Sequence, residues 1–336
     1  MIFAPTGSLR DRSMIAKEFI EKNLDNCLDD TSFLNLPNRK KGKVRDAYDL
    51  GNKLVLITTD RQSAFDRILA SIPFKGQVLN QVSSFWFDNT QDIVANAVLD
   101  IPDPNVTVAR KCKVFPVEFV VRGYLTGSTD TSAWTLYSRG ERNICGNALP
   151  NGMTKNRKFD KPILTPTTKS DEHDEPISAA GIVSRGLIDE DVWKKLEKIV
   201  FALFDRGTHV ADQNGLILVD TKYELGMDEE GNILLIDEIH TPDSSRYWLK
   251  DSYLQRINDN REPENIDKEF LRLWFKEHCD PYKDAVLPAA PRDLVVELSL
   301  RYIRLFEMIT GKDFEIDGSL PIRNRIAKNL GPYLFK

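Results

Sequence analysis

The chain has 336 residues, 41% hydrophobic and 29% charged, and 46 basic against 51 acidic side chains leave a net charge of −5. That balance speaks against a nucleic-acid binder, whose basic stripe should dominate, and no apolar run approaches the roughly 20 residues that a membrane span needs. The length can bury a large core and suits two or more domains.

In chain order, Met1 to Arg10 has no signal-like apolar stretch, so a cytoplasmic protein is expected. Cys27, Cys112, Cys145 and Cys279 are scattered without a C-x-x-C pair and read as reduced structural thiols. The histidines are equally dispersed, which argues against a zinc site. Residues 13–28 predict a short amphipathic helix with Ile15, Phe19, Ile20 and Leu24 on one face. The run Arg39-Lys40-Lys41-Gly42-Lys43-Val44-Arg45 follows. Its glycine would let backbone amides approach a phosphate while the cations neutralise it, although a solvated basic turn explains the run equally well. It is neither a Walker motif nor a three-glycine kinase loop.

Lys53 to Thr59 predicts a strand, and residues 79–97 predict a helix with an aromatic patch at Phe85, Trp86 and Phe87. Val114 to Val121 predicts a strand ending in Arg122, then a loop reaching Ser128. Arg122 could fork onto a phosphate or carboxylate with Ser128 completing the pocket; the competing reading is a strand-end arginine paired to an acid. Residues 139–181, rich in Gly, Pro, Asn and Thr, read as a long irregular insertion. His173-Asp174-Glu175 within it cannot all face one ion from regular structure. Residues 189–206 give the clearest helix, capped by Asp189 and ended by Gly207.

The strongest signal is Leu218-Val219-Asp220-Thr221-Lys222-Tyr223-Glu224-Leu225-Gly226, where alternation puts Asp220, Lys222 and Glu224 on one face of a strand. Ile233 to Ile236 and Asp237-Glu238 complete a β-hairpin through the turn Asp228 to Asn232. A turn centred on Glu229-Glu230 sets Lys222 opposite Asp237, gathering three carboxylates around one ammonium. A solvated face is the bland reading; a divalent metal with a polyanionic ligand is the sharper one. His240 to Arg246 predicts a tight turn presenting Arg246 as a second anion clamp, or an ordinary capped turn. The tail from about residue 266 predicts helices, notably 293–309, and reads as packing.

These elements predict an α+β protein with boundaries near 117 and 260. Residues 1–117 would bind nucleotide, 118–260 would hold substrate and metal, and 261–336 would form a helical end. The cleft between the first two is the default site.

Together the motifs closely resemble the SAICAR synthetase family, from Lys41 to about Trp248. The match rests on Phe115 to Arg122 with Thr126-Gly127-Ser128, on Leu218 to Gly226, on Gly42 to Asp46, on Thr59 to Asp66, and on Asp237-Glu238 with Pro242 to Arg246. Leu225 stands where the family usually has Phe or Ile. The insertion, with Leu164 to Lys169, looks like that of the longer, yeast-type branch. The resemblance implies a kinase-like ATP cleft between two mixed α/β domains. It implies ligation of L-aspartate to CAIR, the carboxyaminoimidazole ribonucleotide, giving SAICAR, ADP and phosphate. By position it implies Gly42 and Lys43 over the ATP phosphates and Glu118 beside the adenine. Glu224 and Asp237 would hold Mg2+, and Lys222 would face the transferred phosphoryl group. Arg122, Ser128, Ser244 and Arg246 would bind the ribonucleotide, with Asp243 on its ribose side. Asp220 would take the amine proton or orient Lys222. Asp60-Arg61 and the 165–175 loop are candidates for aspartate binding. A kinase using the same kind of cleft, or a non-catalytic nucleotide module, are the competing classes; the catalytic-loop and Asp-Phe-Gly motifs of kinases are missing. Monomer or homo-oligomer stays open.

Overall fold

The computed structural model describes residues 17–169, 175–318 and 320–334. His173 and Asp174, and the start of the helix expected over 13–28, lie outside them; the described part of that helix is α1 (Lys17–Lys22). An antiparallel sheet follows, built from β1 (Arg39–Lys41), β2 (Arg45–Asp49) and β3 (Lys53–Thr58). A separate hairpin, β4 (Arg61–Ala64) and β5 (Arg67–Ser71), leads into α2 (Lys75–Asp88), and β6 (Val98–Asp103) and β7 (Val106–Arg110) complete the sheet in the order β1-β2-β3-β7-β6. The α2 helix starts four residues earlier than expected and ends at Asp88.

The second sheet begins with β8 (Lys113–Val114) and β9 (Val117–Tyr124), separated at Pro116, whose missing N–H breaks the single strand expected there. The region 139–181 is more regular than its composition suggests. After α3 (Ala133–Ser138), it holds β10 (Asn143–Ile144), β11 (Asn147–Ala148), β12 (Lys158–Leu164), β13 (Thr167–Thr168) and α4 (Ala179–Ser184). The strand β12 pairs with β9, and Leu125, Tyr137, Ile144 and Phe159 share a small core. The strand-forming side chains are spread among turn residues, which hides their pattern.

Helix α5 (Glu190–Gln213) runs past the expected stop at Gly207. A Cβ on Gly207 would lie 2.4 Å from the His240 ring and 2.8 Å from Leu218, so this glycine permits close packing and does not end the helix. The chain turns instead at Gly215, with φ of 72°. Asp189 occupies the N-cap with extended backbone, but its side chain makes no capping hydrogen bond. Gly207→Ala should cost about 1–3 kcal/mol through overpacking, read as a lower denaturation midpoint; an unchanged midpoint would contradict the tight contact.

Strand β14 (Leu216–Met227) is the axis of the second sheet. It pairs with β9 and β8 on one side, and with β15 (Ile233–Ile236) and β16 (Ser245–Leu249) on the other. A parallel bridge from Asn96 to Leu235 ties the two sheets. The end of the chain adds α6 (Lys250–Asn258), α7 (Glu269–His278), α8 (Arg292–Thr310) and α9 (Ile322–Leu334). Trp86 of α2, Leu196 and Leu203 of α5 and Tyr302 and Phe306 of α8 share the main core. Ile326 and Leu330 of α9 close the first sheet against Val55, Ile57 and Val106. Among the described residues, no helix is long and apolar enough to cross a membrane.

Candidate active site

The hairpin register differs from expectation by one residue. Glu224 pairs with Ile236 and Met227 with Ile233, because the turn spans five residues, from Asp228 N–H donating to the Asn232 carbonyl at 3.1 Å. Such a slip reverses which side chains share a face. Asp237 lies just past β15 with φ of 65°, a left-handed conformation that Asp tolerates better than most residues. Its carboxylate nonetheless reaches the site, 3.8 Å from Lys222 Nζ.

Lys222 Nζ is the centre of an acidic cluster. It donates to Glu224 Oε1 at 2.6 Å and to Glu118 Oε1 at 3.1 Å. Glu224 is also held by Lys169, and Asp237 by Arg45 from β2. Burial alone would lower the Lys222 pKa, but Glu224, Asp237 and Glu118 raise it well above its ordinary value. Burial would likewise raise Glu224; Lys222 and Lys169 outweigh it and hold the carboxyl at about 2, against an ordinary 4.5. A depressed folded-state pKa contributes stability above the unfolded value that is lost as pH falls. Stability from Glu224 should therefore be present at neutral pH and disappear between about pH 4.5 and 2. Glu224→Gln should flatten that part of a stability-versus-pH curve; an unaltered curve would deny the pairing. Burial lifts the neighbouring Glu238 carboxyl above its usual range despite Arg45, and Thr241 donates to it at 2.5 Å.

Asp220 stands on the same face but serves other cations. The sheet register sets it directly across from Arg122 on β9 and from Arg246 on β16. Arg246 Nη1 donates to Asp220 Oδ2 at 2.5 Å and Arg122 Nη1 at 3.2 Å. Directly opposed residues touch, so the flanking strands claim this carboxylate and not Lys222 two residues on. Arg122 also donates to Thr165 of the 165–175 loop at 2.8 Å.

Arg122, Asp220, Lys222, Asp243, Ser244 and Arg246 line one cavity of about 330 Å³. Ser128 lies beside it, its hydroxyl held by Glu269 and its carbonyl by Lys276 at 2.6 Å. Ser244 turns its hydroxyl into its own loop toward Thr241, at 3.1 Å, while its carbonyl accepts from the Lys222 N–H at 3.0 Å. Asp243 is buried: Lys75 donates to it at 2.7 Å and Tyr302 at 2.7 Å, and together with Lys268 they hold the carboxyl well below its usual range against the opposing effect of burial.

A second, apolar slot of about 90 Å³ lies between the sheets, walled by Leu56, Ala109, Val114, Leu235 and Ile236 and reaching Asp237. Glu118, expected beside an adenine, is not in its lining; its side chain points to Lys222 because the two residues occupy adjacent strands. Gly42 lies in the β1–β2 turn, where a Cβ would meet the Arg45 carbonyl at 2.4 Å. Lys43 Nζ pairs with Asp66 at the β4–β5 tip, at 2.5 Å. Asp60 and Arg61 brace backbone and do not face the cavity. Asp60 accepts from the Leu28 and Gly76 N–H groups, with burial lifting its carboxyl to about 6. Arg61 donates to the carbonyls of Gly42, at 2.9 Å, and Lys43, at 3.2 Å, so it fixes the glycine turn.

The expectation that the tail only packs is not met. Asp267, Lys268, Glu269 and Arg272 all line the large cavity, and Tyr302 bonds Asp243. The one sequence signal was the Asp267-Lys268-Glu269 triplet ahead of an apolar helix. Among the described residues, no group of three or more acidic, histidine or cysteine side chains is arranged to hold a metal by itself.

A family profile described as SAICAR synthetase matches residues 38–289. A Legionella pneumophila (strain Lens) protein named phosphoribosylaminoimidazole-succinocarboxamide synthase is 58% identical over 309 residues, 92% of this chain and 99% of that one. A chloroplastic protein of the same name from Arabidopsis thaliana is 59% identical over 315 residues, 92% of this chain and 77% of that one. The solved SAICAR synthase from Saccharomyces cerevisiae, complexed with SAICAR, superposes with a TM-score of 0.72 at 32% identity, covering 84% of this chain and 97% of that one. A type-2 SAICAR synthetase in complex with ADP superposes with a TM-score of 0.63 at 25% identity, covering 83% of this chain and 100% of that one.

Proposed function

The chain belongs to the SAICAR synthetase family, and from that premise we propose how its residues divide the work. The reaction is ATP-dependent ligation of L-aspartate to the carboxylate of CAIR, giving SAICAR, ADP and phosphate in purine biosynthesis. The observation that carries the assignment of roles is the Lys222 ammonium among Glu118, Glu224 and Asp237, in the same cavity wall as Arg122 and Arg246.

A carboxylate resists attack by an amine. Its oxygen first takes the γ-phosphoryl group of ATP, releasing ADP and leaving an acyl phosphate. The aspartate amine then attacks the carbonyl, loses a proton and expels phosphate as the amide forms. Phosphoryl transfer needs placement and charge stabilisation more than covalent help. We assign Lys222 to the transferring group, since its raised pKa keeps it charged. Gly42 and Lys43 would lie over the ATP phosphates, with Asp66 yielding Lys43 to them. The apolar slot suits a flat purine, and we move Glu118 from the adenine to the Lys222 cluster. Glu224 and Asp237 supply hard oxygen donors that fit Mg2+ shared with ATP phosphates, and when bound the ion would neutralise phosphate charge. Arg122 and Arg246, paired on Asp220, would take the ribonucleotide phosphate bidentately, with Ser128 and Ser244 nearby and Asp243 toward the ribose. Asp220 acts in this reading by holding both guanidinium groups in place.

The division into 1–117, 118–260 and 261–336 is likewise proposed, although the first sheet ends with β7 at Arg110 and the second opens with β8 at Lys113, a few residues before the first boundary. A cytoplasmic location is proposed on the four free cysteines. The test is ADP release with each substrate omitted in turn: release should require CAIR and aspartate together. ADP formation that aspartate does not stimulate would remove the assignment.

A further inference from the structure

The assignments above leave Lys75 without work. It opens α2, its side chain is fully buried, and it is not among the residues that line the cavity. A cation at the first position of a helix meets the wrong end of the helix dipole. A buried ammonium also loses its hydration, and replacing a sealed ion pair by apolar side chains of similar volume often leaves a fold as stable as before. Folding alone therefore gives no reason for a lysine here. Its partner does. Lys75 Nζ donates to Asp243 Oδ2 at 2.7 Å, and Tyr302 of α8 donates to Asp243 Oδ1 at 2.7 Å. Lys268, 3.9 Å from the same carboxylate, stands in the cavity wall; Lys75 and Tyr302 have no exposed surface and do not.

The backbone on either side of the pair is fixed. Gly76, next to Lys75, packs so closely that a Cβ would meet the Thr58 carbonyl at 2.3 Å, and its N–H donates to Asp60 at 2.9 Å. The start of α2 is thereby anchored to the first sheet. Asp243, at the other end, belongs to the turn whose Ser244 carbonyl accepts from the Lys222 N–H at 3.0 Å and which leads into Arg246 of β16. We propose that Lys75, helped by Tyr302, is a positioning residue for the ribonucleotide: from the first sheet it holds Asp243 and the 242–246 turn where the ribose and phosphate are received. Each Asp243 oxygen keeps a lone pair for a ribose hydroxyl, since a carboxylate oxygen accepts from two donors. The inference rests on the ligase reading and on the ribose-side place of Asp243 within it, and it adds a residue that lies outside the cavity.

Lys75→Met should lower kcat/KM for CAIR by about tenfold or more, the loss expected when a charge-assisted hydrogen bond to a binding group is removed, with the KM for ATP within about twofold of the parent. Tyr302→Phe, which removes one oxygen and keeps the packing, should give the same pattern more weakly, and it serves in place of Lys75→Met should that variant fail to fold. The decisive comparison is a double-mutant cycle with Asp243→Asn. A residue that acts through Asp243 has nothing further to lose in that background, so Lys75→Met combined with Asp243→Asn should match Asp243→Asn alone within about threefold. A merely structural lysine would lower kcat/KM by the same factor in both backgrounds and raise the KM for ATP as well. Either result overturns the proposal, as does a Lys75→Met enzyme with the parent's kcat/KM for CAIR. Asp243→Asn with that same parental value would remove the ribose-side assignment and the proposal together. Failure of the ligase reading would look different: the parent enzyme itself would release ADP without regard to aspartate.

Discussion

Lys222→Met should lower kcat by about 10²- to 10³-fold while the KM for ATP changes little, the range seen when a preorganised charge-stabilising group is removed. The ammonium lies 2.6 Å from Glu224, 3.1 Å from Glu118 and 3.8 Å from Asp237, so no other cation sits so centrally among these acids. Arg45 and Lys169 hold the outer sides of Asp237 and Glu224 and cannot replace a charge at the centre. Methionine keeps the apolar stem and removes only the charge, which leaves three carboxylates facing one another. Their mutual repulsion should raise the pKa of one of them, so the variant should also unfold more readily at neutral pH than the parent. The two effects separate by measurement: single-turnover ADP formation reports the chemical step, and a denaturant titration reports the fold. A kcat within about threefold of the parent would take Lys222 out of the transition state.

Arg246→Met should reduce kcat/KM for CAIR by about 10²- to 10³-fold, or roughly 3–4 kcal/mol, inside the roughly 2–5 kcal/mol lost when one partner of a buried charge pair is truncated. The Arg246 side chain keeps only 16% of its full exposure and donates to Asp220 at 2.5 Å. Its removal deprives the incoming phosphate of one fork. It also leaves Asp220 with Arg122 alone, at 3.2 Å, so the surviving arginine is held less firmly. Asp220→Asn should imitate part of this defect by loosening both guanidinium groups at once. The KM for ATP should stay near that of the parent in both variants. An Arg246→Met enzyme with a normal KM for CAIR and a raised KM for ATP would reverse the assignment of the two ends of the cavity.

The contrast between these two cations shows how far local pattern reaches. Alternation along Leu218 to Gly226 places Asp220, Lys222 and Glu224 on one face, and the structure keeps them there. It does not say that Asp220 belongs to two arginines, because that follows from β9 and β16 lying on either side of β14. Asp237 shows the converse. The expected register with Lys222 slips by one residue, which by alternation alone would turn Asp237 away. A left-handed backbone after the end of β15 restores the contact. Gly207 has the same lesson for helices: a glycine near the end of a periodic stretch looks like a stop, yet here it makes room for His240 of a distant turn.

The sequence by itself determined the family, the α+β class and the strand that sets Asp220, Lys222 and Glu224 on one face, and it singled out the two arginines proposed here as anion clamps. Each of these is written in residues close together along the chain, where strand alternation and turn chemistry act within a few positions. Tertiary structure alone decided which carboxylate each cation holds, where the apolar slot opens, and that α7 brings Lys268 and Arg272 into the cavity. Those contacts join residues tens to hundreds of positions apart, and they are set by sheet order and by the packing of α8 on α2, for which no local periodicity carries a signal.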